Sequence, residues 1–319
     1  MYKLWSERGL PEDFVALLEG IAQELPAASS TPNDSLSNIS DADGIIAGGF
    51  TYDAALMDKA PKLKVIARTG IGVDSVDIPE ATARGIAVVN VPDGPTKSTA
   101  EHTIMLMLAV AKNLKQSEAR LRAGEKDLYQ RNVAIELDGK TLGLAGFGRI
   151  ARRVARAGRG LGMNVLSYDP YVHSDVAKEA GVIMLDSFDE LLGSSDVLSI
   201  HTPLLKETKK MMNRETFGRM KKGSIFINAA RGGLVDEAAL LEALESEQLF
   251  GAGLDVTDPE PPLLDNPLLT KHNVIVTPHV ASGTTEGRAA NFEGAIRQAL
   301  DVLQGERPIN LVNPEVWQA

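Results

Sequence analysis

The segment Gly146-Phe-Gly148-Arg-Ile-Ala151 stands between an apolar run, Thr141 to Ala145, and a helical pattern. In that context each small residue has a task. The first glycine permits a tight turn, the second lets backbone approach a diphosphate, and Ala151 is small enough for close helix packing. The amino terminus of the following helix would meet the anion with free N–H groups and the positive end of its dipole. Asp169 ends the next apolar run, about 20 residues beyond the first glycine, where a carboxylate accepts the two hydroxyls of an adenosine ribose. Pro170, Tyr171 and Val172 bring no cation to a 2′-phosphate, so NAD is favoured over NADP. The alternative is a tight turn with a chance acid; strand, helix and terminal carboxylate together favour dinucleotide binding. A second pair, Gly70 and Gly72, lacks a small third residue and a following helix. It reads as a loop whose backbone N–H groups could cradle a carboxylate, with a plain structural turn as the alternative.

A redox enzyme using NAD needs a group that takes the alcohol proton while hydride leaves, and histidine titrates in the useful range. The chain has five histidines and no cysteine. His102 lies in a long helical pattern, His173 follows the Asp169 strand and His272 sits in a polar loop; structural roles are expected for all three. His201 ends a strand in His-Thr-Pro, where a cofactor contact competes with a proton-transfer role. His279 follows Val-Ile-Val-Thr-Pro at the carboxyl end of the last strand, and open α/β sheets bind ligands at such ends. Arg231, in Ile-Asn-Ala-Ala-Arg-Gly-Gly, also directly follows a strand. Its planar guanidinium suits a carboxylate in bidentate fashion, against the alternative of a surface ion pair. Glu260 follows the strand ending at Asp255 and could hydrogen-bond a histidine and orient it, although alone it would read as a solvated loop acid. Three strand ends converging on one cleft carry the assignment. No metal is expected, since without cysteine there is no zinc-thiolate or iron–sulfur set.

Parallel strands must present those ends, and the pattern supplies them. Short β-rich runs alternate with helical patterns: Gly44 to Ala47, the helical Asp53 to Lys59, then Leu63 to Ala67. A polar stretch, Pro26 to Ser40, precedes them. A second series follows the Pro92 to Pro95 turn, with strands at Thr141 to Ala145, Asn164 to Tyr168, Val197 to Ile200, Ile225 to Asn228, Gly253 to Val256 and Val274 to Thr277. Between the two, Ser98 and Glu101 suggest a capping box ahead of one long helix running to about Arg122. Thr284 to Gln304 reads as a helix ended by Gly305. Too little chain follows for a further domain, so this helix is expected to return to the first unit. The predicted fold is α/β with two Rossmann-like, doubly wound domains. Residues 1–97 with 285–319 form a discontinuous substrate domain, and 98–284 an inserted NAD domain.

Composition agrees with this and narrows the partners. A length of 319 residues suggests two domains, and 44% hydrophobic with 24% charged residues is ordinary globular usage. The net charge of −10 argues against nucleic acid as the principal partner. The longest apolar run, Ile104 to Ala111, is far shorter than the roughly 20 residues that cross a bilayer, and no signal-peptide core is visible at the amino terminus. A soluble, cytoplasmic protein without a membrane partner is expected.

The blocks Arg68-Thr-Gly-Ile-Gly-Val-Asp-Ser-Val-Asp77, Leu142 to Ile150, His201-Thr-Pro-Leu, Ile227-Asn-Ala-Ala-Arg-Gly-Gly-Leu-Val-Asp236, Gly253-Leu-Asp-Val and Thr277-Pro-His together resemble the D-isomer-specific 2-hydroxyacid dehydrogenases, most of all the D-3-phosphoglycerate dehydrogenase branch. The resemblance covers nearly all of the chain and is weakest over about the first 40 residues. It implies an Arg–Glu–His triad on Arg231, Glu260 and His279, in which Arg231 binds substrate oxygens, His279 exchanges the hydroxyl proton and Glu260 holds His279. It also implies cofactor contacts at Arg149, Ile150, Asp169, Thr202, Ala230 and Asp255, beside Gly146 and Gly148, and substrate-carboxylate contacts from the Gly72 and Val73 N–H groups. Glu260 argues against the formate-dehydrogenase relatives, which place Gln there.

Two departures concern the substrate. Asp93-Gly-Pro95-Thr-Lys-Ser98 lacks the asparagine that phosphoglycerate enzymes usually carry, and Gly48-Gly-Phe50-Thr-Tyr52 lacks the arginine they offer to the phosphate. Lys97 could replace the charge but not the bidentate geometry. The expected function is NAD-dependent interconversion of a D-2-hydroxy acid and its 2-keto acid, with closure between the domains excluding water. Phosphoglycerate, glycerate (hydroxypyruvate) and glyoxylate chemistry all stay open. The alternative is an NAD(H)-sensing interaction protein of the corepressor type, since that branch keeps fold and triad. A homodimer through the long helix that runs to about Arg122 and the absence of an appended serine-sensing domain complete the expectations.

Overall fold

The computed structural model describes residues 1–7, 9–25 and 36–317, so most of the polar Pro26 to Ser40 stretch lies outside the described residues. The chain divides into two compact units, 1–96 with 283–319, and 97–282. Among the described residues twelve strands form two sheets, and every strand pairing is parallel.

The first unit contains β1 (Tyr2–Ser6), β2 (Ala22–Leu25), β3 (Gly44–Ala47), β4 (Val65–Arg68) and β5 (Ala87–Val89), in the order β2-β1-β3-β4-β5. The helix Thr285–Gln304 covers one face of this sheet. Its Ala295, Ile296, Ala299, Leu300 and Leu303 join Leu4, Ile46, Val65 and Val89 in one buried cluster. Each such leucine or isoleucine contributes roughly 1.5–3 kcal/mol when fully buried, which is why chain from both ends makes one core. Asn313, 1% exposed, ties the carboxyl-terminal segment to β5: its Oδ1 accepts the Val88 N–H at 2.8 Å, and its Nδ2 donates to the Ile86 carbonyl at 2.9 Å.

The second unit contains β6 (Thr141–Ala145), β7 (Asn164–Tyr168), β8 (Ile183–Met184), β9 (Val197–Ile200), β10 (Ser224–Asn228), β11 (Leu249–Leu254) and β12 (Val274–Val276). Their order is β12-β11-β10-β9-β6-β7-β8. Chain direction across the sheet reverses beside β6, so the carboxyl ends of β6 and β9 form the switch point at which such sheets bind ligands. Buried clusters cover both faces, as an all-parallel sheet requires.

Three local expectations are corrected. The helix after Pro95 spans Thr96–Ala111, so Ser98 lies inside its first turn and is no cap. It does not continue to Arg122: the chain breaks at Asn113, whose φ of 53° is left-handed, and restarts as Leu114–Arg122. The strand placed at Gly253 to Val256 begins earlier, at Leu249, and ends at Leu254. Glycines at 251 and 253 weaken the strand signal there, and the structure shows their use: a Cβ at either would meet Val110 or Leu106 within 2.9 Å.

Candidate active site

The turn after β6 is built for a close-lying ligand. Gly146 has φ +92°, and a Cβ there would sit 3.0 Å from the His201 carbonyl carbon. Gly148 stands at the amino terminus of the helix Arg149–Gly160 and is exposed, and a Cβ on it would meet no protein atom within 4 Å. Protein packing therefore does not require glycine at 148, whereas a phosphate seated on the helix terminus would. Ala151 and Gly158 lie buried on that helix, and a Cβ at 158 would fall 2.6 Å from Leu142. Asp169, after β7, reaches back to this turn: its Oδ2 accepts the Phe147 N–H at 2.8 Å and its Oδ1 the Tyr171 N–H at 2.9 Å. Each oxygen keeps a second lone pair for a ribose hydroxyl. Glycine turn, open helix terminus and fixed acid fit NAD.

Arg231, Asp255 and His279 follow β10, β11 and β12, neighbours in the sheet. The buried Asn228 shapes the first turn, its Nδ2 donating to the Arg231 carbonyl at 2.9 Å and its Oδ1 accepting the Ala230 N–H at 3.0 Å. Gly232 is needed next, because a Cβ there would overlap the Thr257 carbonyl. Thr202, after β9, lies with its hydroxyl 3.5 Å from the Met211 sulfur.

Asp255 is the hub. It is 1% exposed; Oδ1 accepts from the Thr277 hydroxyl at 2.6 Å and the Val280 N–H at 3.0 Å, and Oδ2 accepts the Ala281 N–H at 2.8 Å. His102 Nε2 lies 3.3 Å from Oδ1 and 2.9 Å from the Thr277 hydroxyl. Burial pushes the carboxyl up, but His102, Thr277 and the two N–H groups together outweigh it and hold the group below the ordinary carboxylate range. The Asp255 carbonyl also accepts the His279 N–H at 2.7 Å, fixing that backbone at φ +52°. His279 Nδ1 is hydrogen-bonded to Glu260 Oε1, and both side chains are partly open to solvent. With Nδ1 turned to a carboxylate, Nε2 is the nitrogen left to exchange a proton.

The other histidines differ. His201 Nε2 pairs with the buried Ser199 hydroxyl at 2.9 Å, and burial pushes its imidazole down to about 4, so it stays neutral where a neutral-pH base must titrate. His173 is exposed beside Asp175. Sequence spacing offers no sign that His102 reaches Asp255: the two lie far apart in the chain and meet only when the helix Thr96–Ala111 packs on the sheet. In the first unit the Gly70 to Val73 loop follows β4, and Arg68 Nε donates to the Gly72 carbonyl at 3.0 Å.

Comparison with known proteins gives a consistent context. Residues 104–281 match the family model "D-isomer specific 2-hydroxyacid dehydrogenase, NAD binding domain". The chain is 43% identical over 314 residues to D-3-phosphoglycerate dehydrogenase of Methanocaldococcus jannaschii, covering 98% of this chain and 60% of that one. It is 40% identical over 267 residues to glyoxylate reductase of Korarchaeum cryptofilum, covering 83% and 80%. It superposes on the crystal structure of D-lactate dehydrogenase from Aquifex aeolicus complexed with NAD and lactic acid with a TM-score of 0.84 at 32% identity, covering 98% and 99%. The chain thus spans about 60% of the length of the phosphoglycerate dehydrogenase relative.

Proposed function

The chain belongs to the D-isomer specific 2-hydroxyacid dehydrogenase family, and from that premise we propose that it is an NAD-dependent oxidoreductase interconverting a D-2-hydroxy acid and its 2-keto acid. The single observation that carries this is the Glu260–His279 pair beside the buried Asp255, at strand ends adjoining that of Arg231. NAD bound to the second unit supplies the hydride acceptor. Gly146, Gly148, Arg149 and Ile150 hold its diphosphate, Asp169 its ribose hydroxyls, and Thr202, Ala230 and Asp255 its remaining polar edges. Arg231 binds the carboxylate and carbonyl oxygens of the substrate, and the Gly72 and Val73 N–H groups take its carboxylate. His279 Nε2 delivers a proton to the keto oxygen in reduction and removes it in oxidation. Glu260 holds the ring and stabilises the imidazolium.

The test is NADH oxidation against glyoxylate, hydroxypyruvate, phosphohydroxypyruvate and pyruvate, with NADPH as control. Turnover with NADH and at least one acid is expected. His279→Ala should lower kcat by about a hundredfold or more while NADH binding, followed by fluorescence, survives. A near-native rate in that variant would reject the proton-transfer role, and no turnover with any acid would reject the enzyme.

The same proposal includes a homodimer and a cytoplasmic location. Met105, Leu114, Leu121, Tyr129 and Val133 are all exposed along the helices after Pro95 and the chain that follows, which supports burial of that stretch against a second copy. Among the described residues no helix is long and apolar enough to cross a membrane.

A further inference from the structure

The Glu7 carboxylate, just after β1, is seated in the turn that follows β3. Its Oε1 accepts the Gly48 and Phe50 N–H groups, each at 2.9 Å, and the Tyr52 hydroxyl; its Oε2 accepts the Gly49 N–H at 2.8 Å. Three successive backbone N–H groups close on one acid, which makes the turn an anion nest whose anion the chain itself supplies. Tyr52 is fully buried, and burial first and the Glu7 charge second keep its hydroxyl protonated and donating. Glycine at 48 is what admits the carboxylate, because a Cβ there would fall 2.5 Å from Glu7 Oε2. Any side chain at that position, an arginine included, and Glu7 in the nest exclude each other.

This nest adjoins the loop assigned above to the substrate carboxylate. β3 and β4 are paired, about 4.8 Å apart, and their carboxyl ends lead into Gly48–Phe50 and Gly70–Val73 respectively. Arg68 fastens the two together, with Nε on the Gly72 carbonyl at 3.0 Å and Nη1 on the Ala47 carbonyl at 3.1 Å and the Gly48 carbonyl. Gly49 is exposed, so the outer side of the turn is open.

We propose that Glu7 makes this turn a filter for the far end of the substrate, so that the site takes short unphosphorylated 2-keto acids and rejects those carrying a phosphate on C3. The proposal rests on the dehydrogenase assignment above. Two effects act in the same direction, against the attraction of the Arg68 guanidinium that the Ala47, Gly48 and Gly72 carbonyls hold. A phosphate dianion near the turn would meet a fixed carboxylate, and the N–H groups that would bind it are already taken.

The test is kcat/KM, with NADH, for hydroxypyruvate and phosphohydroxypyruvate, which differ only in the phosphate, and for glyoxylate as an internal standard. The wild-type chain should favour hydroxypyruvate over phosphohydroxypyruvate by about tenfold or more. Glu7→Gln, which removes the charge and keeps the shape, should raise the phosphohydroxypyruvate to hydroxypyruvate ratio by about tenfold. A merely structural role for Glu7 would move both acids together and leave that ratio unchanged, which overturns the filter. So does a wild-type preference for phosphohydroxypyruvate, a result that stands even if the variant fails to fold. Failure to turn over any of the three acids would instead reject the dehydrogenase assignment itself.

Discussion

His279 occupies a left-handed backbone conformation that non-glycine residues seldom adopt, at φ +52°. The surroundings hold it there through the Asp255 carbonyl, which links the proposed proton-transfer residue to the buried acid beside it. His102 acts one step further out, as a positioning residue on Asp255 and Thr277. His102→Ala should weaken NADH binding about tenfold or more, the share of one hydrogen bond to a charged group, and His102→Gln should restore most of it; equal NADH affinity in wild type and His102→Ala would remove His102 from the site. His201 gives a pH signature. Its pKa falls from 6.5 free to about 4 in the fold, so the unfolded chain binds the extra proton between those values. The stability it contributes as a neutral group is whole above pH 6.5 and is lost as pH falls toward about 4. Chemical denaturation at pH 7 and pH 4.5 should show a smaller loss for His201→Asn than for wild type; an equal loss would mean the ring titrates normally.

At the scale of elements, the turn after β6 shows how a short motif depends on its neighbours. Gly146 needs its positive φ, and the missing Cβ leaves room for the β9 end at His201. Gly146→Ala should cost about 1–3 kcal/mol in chemical denaturation and reduce NADH binding, whereas Gly148→Ala, facing open space, should cost little stability and act on NADH binding alone. If both variants lost the same stability, the division between packing and ligand glycines would fail. The strands around these turns were legible because burial on both faces leaves continuous apolar runs. β1, β2 and β8 were not, since polar or exposed residues such as Lys3, Gln23, Glu24 and Ile183 interrupt them, and neither was β5; their identity comes from neighbours in the sheet. The helix break at Asn113 was likewise hidden, since the residues after it, Leu114 to Arg122, are mostly good helix formers.

For the whole molecule, the last helix and Asn313 make the first unit depend on both ends of the chain. Ending the chain at residue 282 should leave the β3–β5 face bare and the first unit unfolded or aggregated, with amide exchange protection kept only in the second unit; a protected β4 in that fragment would contradict the shared core. The proposed dimer should sediment at twice the 34.1 kDa chain mass, and Leu121→Lys should shift it toward monomer. Sequence alone determined the parallel α/β class, the glycine turn with its acid, and Arg231 and His279 as residues to consider, because each depends on local pattern: strand runs, turn chemistry and the residue just past a strand end; Glu260 has no such local mark and entered through the resemblance of the whole chain. Only tertiary structure decided which of them touch. The Glu260–His279 bond, the grip of His102 on Asp255 and the seat of Glu7 in the Gly48–Phe50 turn each join residues that local pattern leaves unrelated, and side-chain hydrogen bonds act only over about 3 Å.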